Sequence, residues 1–446
     1  MDRPTIERTI DAENIKLLRL VFVNNSGVPR GRVLEADDLD TVFEEGANVT
    51  KGMQSFNALD ALVDGGSFGP VGEVRLRPDP ETFTTTPYAD RTATMLCDMY
   101  ELDGTAWDAD PRSQLRAFLE GLDVTPSAAF EGEYYLVRQG EDGIEPYDDS
   151  TCFAVDGMDS AHEIILDTVD ALDAQGLGLS NYYPEYGPGQ QELVIEHDDG
   201  VAAADNHVLY KSTVRAIANQ HGVDATFAPQ PFDGMPGSGC HVHLSLWQDG
   251  RNVLADPDGD SRYNLSRFGR QFVAGVVDHA PALVALTAPT VQSYDRLRPG
   301  MWASAFTAWG RDNREGCVRI PSAHSENPQD TTRLEYKPCD NTANPYLVLL
   351  GLLAAGMDGV ERELDPGEPV QRDPTALADA ERTDRGIERL PTTLAEALDE
   401  FETSGVLREA LGETLHRSYL EVKRSEWEAS VDEDGEWNAD YLLRAF

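Results

Sequence analysis

The sequence predicts an α+β protein with a small N-terminal domain at residues 14–105 and a larger domain at residues 111–446. Strand-like runs at 17–23 and 93–100 delimit the first domain. In the second domain, four stretches alternate polar and apolar residues, as strands with one polar face do, and helical patterns separate them. At 446 residues the chain is long enough for one large core or two domains.

Other elements follow from turn residues and apolar periodicity. Residues 25–27 are expected to form a turn, the Pro-rich segment 77–80 a loop, and the charged segment 365–391 a surface crossing. The longest apolar run, 346–357, is too short to cross a bilayer and predicts a buried helix. Further helices are predicted at 113–122, 161–175, 205–220, 266–278, 393–403, 405–417 and part of 418–430.

The composition is extremely acidic, with a formal net charge of −44 and five lysines. It predicts a cytoplasmic protein of a halophile, because molar salt screens the self-repulsion of such a chain. The chain has no basic patch, which excludes a nucleic acid as partner, and its 40% of hydrophobic residues exclude an acidic disordered protein. The five scattered cysteines lack CxxC spacing and predict reduced thiols, and the N-terminus shows no apolar signal region.

The stretch 240–246 carries the strongest indication of chemistry. As a strand it would place His241, His243 and Ser245 on one face and apolar residues on the other. One histidine in a strand is usually a hydrogen-bonded core residue. Two on the same face, followed by a serine, favour a ligand or a charged substrate.

Three more stretches have polar faces: one carries Glu131 and Glu133, one carries Arg333, Glu335 and Lys337, and in the third Glu185 and Glu192 flank a turn. Each face alone is compatible with a solvated strand, whereas four together predict the lining of one polar cavity. Crowded carboxylates repel each other unless cations neutralise them, and five glutamates with one histidine suit Mg²⁺ or Mn²⁺. The candidate ligands are Glu131, Glu133, Glu185, Glu192, His241 and Glu335.

Arginines and glycines lie close to these stretches. Arg296, Arg314 and Arg319 fall between the histidine and the Glu335 stretches, and arginine forks bind carboxylates and phosphates. Together with carboxylate-held ions they indicate a nucleotide-dependent phosphoryl transfer. The Gly-rich segment 234–239 is either a plain turn or a loop whose amides approach a substrate closely.

Several segments together resemble the glutamine synthetase family along nearly the whole chain. They are 131–135, 185–192, 225–229, 237–246, 293–299, 333–335 and 344–347. The resemblance implies an N-terminal β-grasp-like domain and a catalytic domain whose curved antiparallel sheet, flanked by helices, forms a funnel-shaped site. It also implies ATP as co-substrate, phosphorylation of a glutamate γ-carboxylate, and attack by an amine on the acyl phosphate.

The resemblance also implies roles for individual residues. Glu133, Glu185 and Glu192 would hold one ion, and Glu131, His241 and Glu335 another. ATP would contact His243, Ser245, Arg319 and Arg333, and the acid substrate would contact Gly237, Arg296, Arg314 and Lys337. Arg314, Trp302 and Glu185 are the candidate catalytic residues, the last as a possible base.

The chain departs from the family where ammonium should bind. Trp302 stands where glutamine synthetases have a loop glutamate, and segment 51–56 lacks the acid that those enzymes carry there. An aromatic wall without anionic partners suits an organic amine better than ammonium. The pattern resembles γ-glutamyl-amine ligases such as glutamate–putrescine ligases. Lys337 replaces a usual arginine and Pro236 a usual asparagine, so glutamate is the acid substrate by analogy.

Three functions therefore remain open: a glutamate–amine ligase, an ordinary glutamine synthetase and a non-catalytic regulatory homologue. In all three the partners are small molecules, without nucleic acid or membrane. The resemblance further implies a homododecamer of two stacked hexameric rings, in which the N-terminal domain of one subunit closes the site of its neighbour.

Overall fold

The N-terminal part of this computed structural model, which describes residues 1–141, 143–256, 263–323, 327–432 and 440–446, is built on a mixed sheet. The strand order is β2-β1-β6-β4-β3, with β5 beside β6, and β1 runs parallel to β6. The elements are α1 (Arg3–Ala12), β1 (Leu17–Val23), β2 (Pro29–Glu35), α2 (Leu39–Glu45), β3 (Ala47–Thr50), β4 (Glu73–Pro78), β5 (Thr84–Thr85) and β6 (Thr92–Tyr100).

The alternation of β1 explains its place in this sheet. Leu18, Leu20 and Phe22 are buried in the core of the N-terminal sheet, as a strand with one apolar face requires. The prediction of a loop at 77–80 was wrong in its first half, because β4 continues to Pro78, which pairs with β6. Proline is tolerated there because β3 pairs with β4 only as far as Leu76, so that Pro78 has a neighbouring strand on one side only.

The second sheet carries the candidate site. Its order is β15-β16-β17-β13-β7-β10-β9, and its pairings are antiparallel except that of β15 with β16. The strands are β7 (Thr125–Gln139), β8 (Ile144–Pro146), β9 (Leu179–Pro184), β10 (Gln190–Ile195), β11 (Asp198–Asp199), β12 (Asp224–Thr226), β13 (Cys240–Gln248), β14 (Arg251–Asn252), β15 (Phe306–Arg311), β16 (Gly316–Ile320) and β17 (Leu334–Tyr336). The fold is thus the expected α+β architecture, a small N-terminal domain and a larger domain with a curved sheet flanked by helices.

Helices flank this sheet. They are α3 (Pro111–Glu120), α4 (Val155–Ser160), α5 (His162–Ala174), α6 (Gly200–Gln220), α7 (Arg267–Asp278), α8 (Ala280–Thr287), α9 (Ser293–Arg296), α10 (Pro345–Glu361), α11 (Asp379–Asp384), α12 (Leu394–Thr403), α13 (Gly405–Leu411), α14 (Glu413–Val431) and α15 (Asp440–Ala445). In the described part of the chain, every helix is too short or too polar to cross a membrane. The five cysteines are free thiols, as predicted.

Three sequence expectations need correction. Helix α6 begins at Gly200, five residues earlier than expected. The helix predicted at 405–417 is interrupted at Gly412, whose φ of +75° separates α13 from α14. The strand around Glu335 is shorter than the predicted face, so that Arg333 and Lys337 flank β17 instead of belonging to it.

A buried arginine joins the two sheets. Arg112 at the start of α3 donates to Asp98 of β6 at 2.6 Å and to Asp79 at 2.8 Å. It also forms a two-bond fork with Asp205 of α6, at 2.9 and 2.7 Å, and Tyr346 donates to the same carboxylate. This network positions the N-terminal sheet against the helices that carry the catalytic sheet.

Candidate active site

The register of three strand pairs brings the predicted polar faces together. His241 lies opposite Glu131, Glu192 opposite Glu133, and Glu335 opposite His243. Because side chains alternate along a strand, residues directly opposite each other share a face of the sheet. The polar side chains of these strands therefore meet on one face of the sheet, as their alternation predicted.

The first cluster consists of Glu133, Glu185 and Glu192, whose carboxylate oxygens lie within 4.8 Å of one another. The backbone N–H of Gly239 donates to Glu133 Oε2 at 2.9 Å, and the Tyr183 hydroxyl donates to Glu192. Among the described residues, no lysine or arginine forms an ion pair with these three carboxylates.

Electrostatics makes this cluster a good cation site. Burial and then the charge of Glu133 raise the pKa of Glu185 to about 7. Burial and the charges of Glu131 and Glu133 raise the pKa of Glu192 well above its ordinary value. These carboxylates thus resist carrying their full charge together. A hard divalent ion such as Mg²⁺ or Mn²⁺ would remove this repulsion and accept their oxygens as ligands.

The second cluster, Glu131, His241 and Glu335, has its own cations nearby. Arg319 donates to Glu335 at 2.6 Å, and Lys337 Nζ lies 3.3 Å from Glu335 and 3.1 Å from His241 Nε2. Burial alone would raise the pKa of Glu335, but Lys337 and the other positive groups lower it to about 2.

The protonation state of His241 suits metal binding. Burial and then the charge of Lys337 lower its pKa, so the imidazole is neutral near pH 7 and keeps a lone pair. Two carboxylates with one imidazole fit Mg²⁺ or Mn²⁺, and the imidazole favours tolerance of Mn²⁺.

A cavity of about 310 Å³ adjoins the second cluster at Glu131, and all the predicted ATP contacts except Arg319 line it. Arg333 Nε donates to His243 Nδ1 at 2.9 Å, so the ring proton is on Nε2, which lies 2.9 Å from Glu131. Ser245 accepts from Trp247 Nε1 at 2.9 Å. His243, Ser245 and Arg333 therefore line one space of ligand size.

Two glycines form the floor between the clusters. A Cβ at Gly237 would come 2.5 Å from the Pro229 carbonyl oxygen and 2.6 Å from Arg296 Cγ. A Cβ at Gly239 would come 3.1 Å from His241 Nε2 and 3.4 Å from Glu133 Oε1. The Gly-rich segment is therefore required for close packing under the site. Arg296 is buried there and donates to the Cys339 carbonyl at 2.6 Å.

Arg314 and Trp302 are both exposed. The charge of Arg314, after that of Lys337, opposes the rise in the Glu185 pKa, which places Arg314 near the first cluster. Trp302 is 65% exposed, and its backbone N–H donates to Glu315 at 2.9 Å. Their catalytic roles stay predictions.

Sequence reasoning missed the neutral residues that hold the acids. Gln190 donates to Glu133 at 3.2 Å and to the Gly237 carbonyl at 3.1 Å, and Asn341 donates to the carbonyls of Glu133 and Gly239. Of the neutral residues that donate to these acids, only Tyr183 could have been found from the sequence. It lies two residues before Glu185 and nine before Glu192. A single amide at the start of a strand, such as Gln190, or in a turn, such as Asn341, carries no such pattern.

Comparison with known protein families identifies the family of this chain. A sequence model described as the glutamine synthetase N-terminal domain matches residues 4–107, and one described as the glutamine synthetase catalytic domain matches residues 108–441. The chain belongs to the glutamine synthetase family. Its relatives in this family include a glutamine synthetase of Methanocaldococcus jannaschii, which is 35% identical over 94% of this chain and 93% of that protein.

A relative named for a polyamine reaction is about as similar. A γ-glutamylpolyamine synthetase of Streptomyces coelicolor, GlnA3, is 36% identical over 93% of this chain and 91% of that protein. A solved structure of GmaS in complex with ADP has a TM-score of 0.84 and 28% identity, covering 96% of this chain and 97% of that one. The chain is thus a ligase of this family, which generally uses ATP and divalent ions.

Removing one charge from the first cluster should have opposite effects with and without metal. Glu192→Gln keeps the acceptor for Tyr183 and relieves the repulsion. We therefore expect the metal-free variant to unfold a few degrees above wild type at alkaline pH, and the stabilisation by added Mn²⁺ to be largely lost. Thermal unfolding in molar KCl measures both. The exposed Glu196→Gln is the control, and a wild-type response to Mn²⁺ in the Glu192 variant would remove this residue from the ligand set.

Proposed function

We propose that this protein joins the γ-carboxylate of glutamate to an organic amine, with ATP cleaved to ADP and phosphate. The observation that carries the proposal is Trp302 at the loop position where ammonium-using enzymes have an acid. Segment 51–56 supports it, because it offers a cation in place of an anion: Lys51 Nζ pairs with Glu101 at 2.5 Å. An ammonium ion would lack both anionic partners.

The reaction has two balanced steps. An oxygen of the γ-carboxylate attacks the γ-phosphorus of ATP, the bond to ADP breaks, and γ-glutamyl phosphate forms. The amine nitrogen then attacks the acyl carbon, phosphate leaves with the bonding electrons, and the nitrogen gives up a proton. Divalent ions at the two clusters would neutralise charge between the carboxylate and the triphosphate.

Basic residues would direct the phosphoryl group. Arg319 donates to Glu335 of the second cluster, Arg333 lines the cavity of about 310 Å³, and Arg314 lies near the first cluster. Guanidinium groups in these places would stabilise charge on the transferring phosphoryl group. Arg296, Gly237 and Lys337 would contact glutamate. Glu185, with its raised pKa, is the candidate to accept the proton of the amine.

The relatives support two readings of the amine. The Streptomyces coelicolor relative is named for a polyamine reaction, whereas the Methanocaldococcus jannaschii relative is named a glutamine synthetase. Ordinary glutamine synthesis is therefore the second candidate. The two acid clusters favour either ligase over a purely regulatory role, since a binding protein gains nothing from six crowded metal-binding side chains.

The assembly and setting follow from the same reading. We propose a homododecamer of two hexameric rings in which the N-terminal domain of one subunit closes the site of the next. The net charge of −44 supports a cytoplasm of molar salt, where acidic subunits associate without strong repulsion.

Exchange of the aromatic wall for an acid should shift the preference for the amine. Trp302→Glu is expected to raise ammonium-dependent turnover relative to that with putrescine or aniline by a few-fold. The shift is modest because segment 51–56 still lacks an acid. ADP release and the mass of the γ-glutamyl product measure it. Trp302→Phe is the control that keeps an aromatic wall. An unchanged ratio in Trp302→Glu would exclude Trp302 from amine selection.

A further inference from the structure

The loop that carries Trp302 adopts a demanding backbone conformation. We call residues 298–304, between α9 and β15, the tryptophan loop. Gly300, Trp302 and Ser304 have φ of +76°, +55° and +63°. Glycine adopts such values easily. In tryptophan and serine the Cβ atom then clashes with the backbone, which raises the free energy of the loop. The loop therefore needs contacts from outside to keep this shape.

Those contacts come from two segments. Arg389 spans both ends of the loop, donating to the carbonyls of Leu297 at 2.8 Å and Ala305 at 2.7 Å. Ser304 donates to the Arg314 carbonyl at 3.2 Å. In the middle, the carboxylate of Glu315 accepts the N–H of Trp302 at 2.9 Å.

Glu315 is an unusual choice for this contact. Glu315 is 7% exposed, and burial raises the pKa of its carboxyl group. Hydrogen bonds from the backbone N–H groups of Trp302 and Gly300 partly offset this rise. A buried carboxylate is costly to keep unless its oxygens accept hydrogen bonds, and here the backbone N–H groups of the loop supply them. The contact falls on the residue whose left-handed backbone most needs support.

We propose that Glu315 is a positioning residue for the amine substrate: through the backbone of the tryptophan loop it holds the Trp302 ring at the amine entrance. This rests on the proposed function, in which the ring contacts the hydrocarbon or aryl tail of a primary amine. Glu315 then acts on the amine through Trp302 and touches no substrate itself.

Two variants separate the effect of side-chain length at Glu315 from the effect of its charge. Glu315→Gln keeps the acceptor oxygen in place and is expected to keep the wild-type KM for the amine. Glu315→Asp keeps the charge but withdraws the oxygen by one methylene, and we expect its KM for the amine to rise about tenfold while the KM for ATP stays unchanged. In a Trp302→Ala background, Glu315→Asp should have little further effect, because positioning through Trp302 makes the two changes non-additive.

A second readout does not depend on turnover. Chymotrypsin cleaves after exposed tryptophan, and mass spectrometry identifies the cut after Trp302. We expect faster cleavage there in Glu315→Asp and wild-type cleavage in Glu315→Gln. Arg298→Ala is the control in the same loop, since it removes only an exposed ion pair with Asp295 and should change neither the cleavage nor the KM.

The outcomes are distinct. A Glu315→Gln variant with a raised amine KM but normal loop cleavage would mean that the charge acts on the amine directly, and it would overturn the proposal. Additive effects of Glu315→Asp and Trp302→Ala would also overturn it. If wild type prefers ammonium, the proposed function fails, but the cleavage result and the coupling measured with ammonium still decide the role of Glu315.

Discussion

Glu335→Gln is expected to lower kcat/KM about a thousandfold while the chain stays folded. Glu335 is 1% exposed and belongs to the second cluster, where Arg319 and Lys337 already bind its oxygens. Glutamine keeps the shape but removes the charge. An ion would then lose one of its anionic ligands, and the two basic groups would lose their common counter-ion.

Steady-state ADP release at saturating ATP measures this loss, and titration with Mn²⁺ shows whether metal affinity falls with it. Circular dichroism and light scattering verify folding and assembly. The matched control is Glu409→Gln, the same change on an exposed position of α13. Activity near wild type in Glu335→Gln would remove this residue from the metal assignment and leave the second cluster with two candidates.

Arg112→Ala is expected to lower the free energy of unfolding by about 3–5 kcal/mol. The side chain is the counter-ion of Asp79, Asp98 and Asp205, all of them buried or nearly so. Without it the buried Asp205 would lose its charged partner, and Asp79 and Asp98 would keep only the partly exposed Arg116. Arg112→Lys should recover only part of the loss, because lysine cannot form the fork with Asp205 while bonding the other two.

Chemical denaturation in molar KCl measures the change. Arg267→Ala is the control, because its pair with Glu363 is highly exposed and contributes less than about 1 kcal/mol. A loss in Arg112→Ala no larger than in the control would mean that the aspartates are solvated on their own and that the network does not join the sheets.

The sequence predicted the parts of the site that follow from strand periodicity. Alternation alone put Glu131 and Glu133, and separately His241 and His243, on common faces, and the register His241 opposite Glu131 brought these faces together. The resemblance divided the six candidate ligands into two sets of three, and the structure clusters the same two sets. Periodicity works here because the opposite face of each strand must be buried.

Other parts depend on pairings that one sequence does not display. The sequence around Pro78 predicts a loop, and only the pairing of Pro78 with β6 shows that it belongs to a strand. The support of Glu133 by Gln190 depends on the pairing of β10 with β7, which places the amide beside the carboxylate. Glu315 reads as an ordinary charged residue beside Arg314, and only the left-handed backbone of Trp302 reveals its contact. Such features arise from tertiary geometry.

The preference of wild type among amines tests the central claim most directly. ADP release is measured in molar KCl with glutamate and ATP against ammonium, methylamine, ethanolamine, putrescine, spermidine and aniline, with the amide product identified by mass. We expect kcat/KM for at least one organic amine to exceed that for ammonium by about tenfold or more, since ammonium lacks both anionic partners. Ammonium used as efficiently as every organic amine would contradict it and make the protein an ordinary glutamine synthetase.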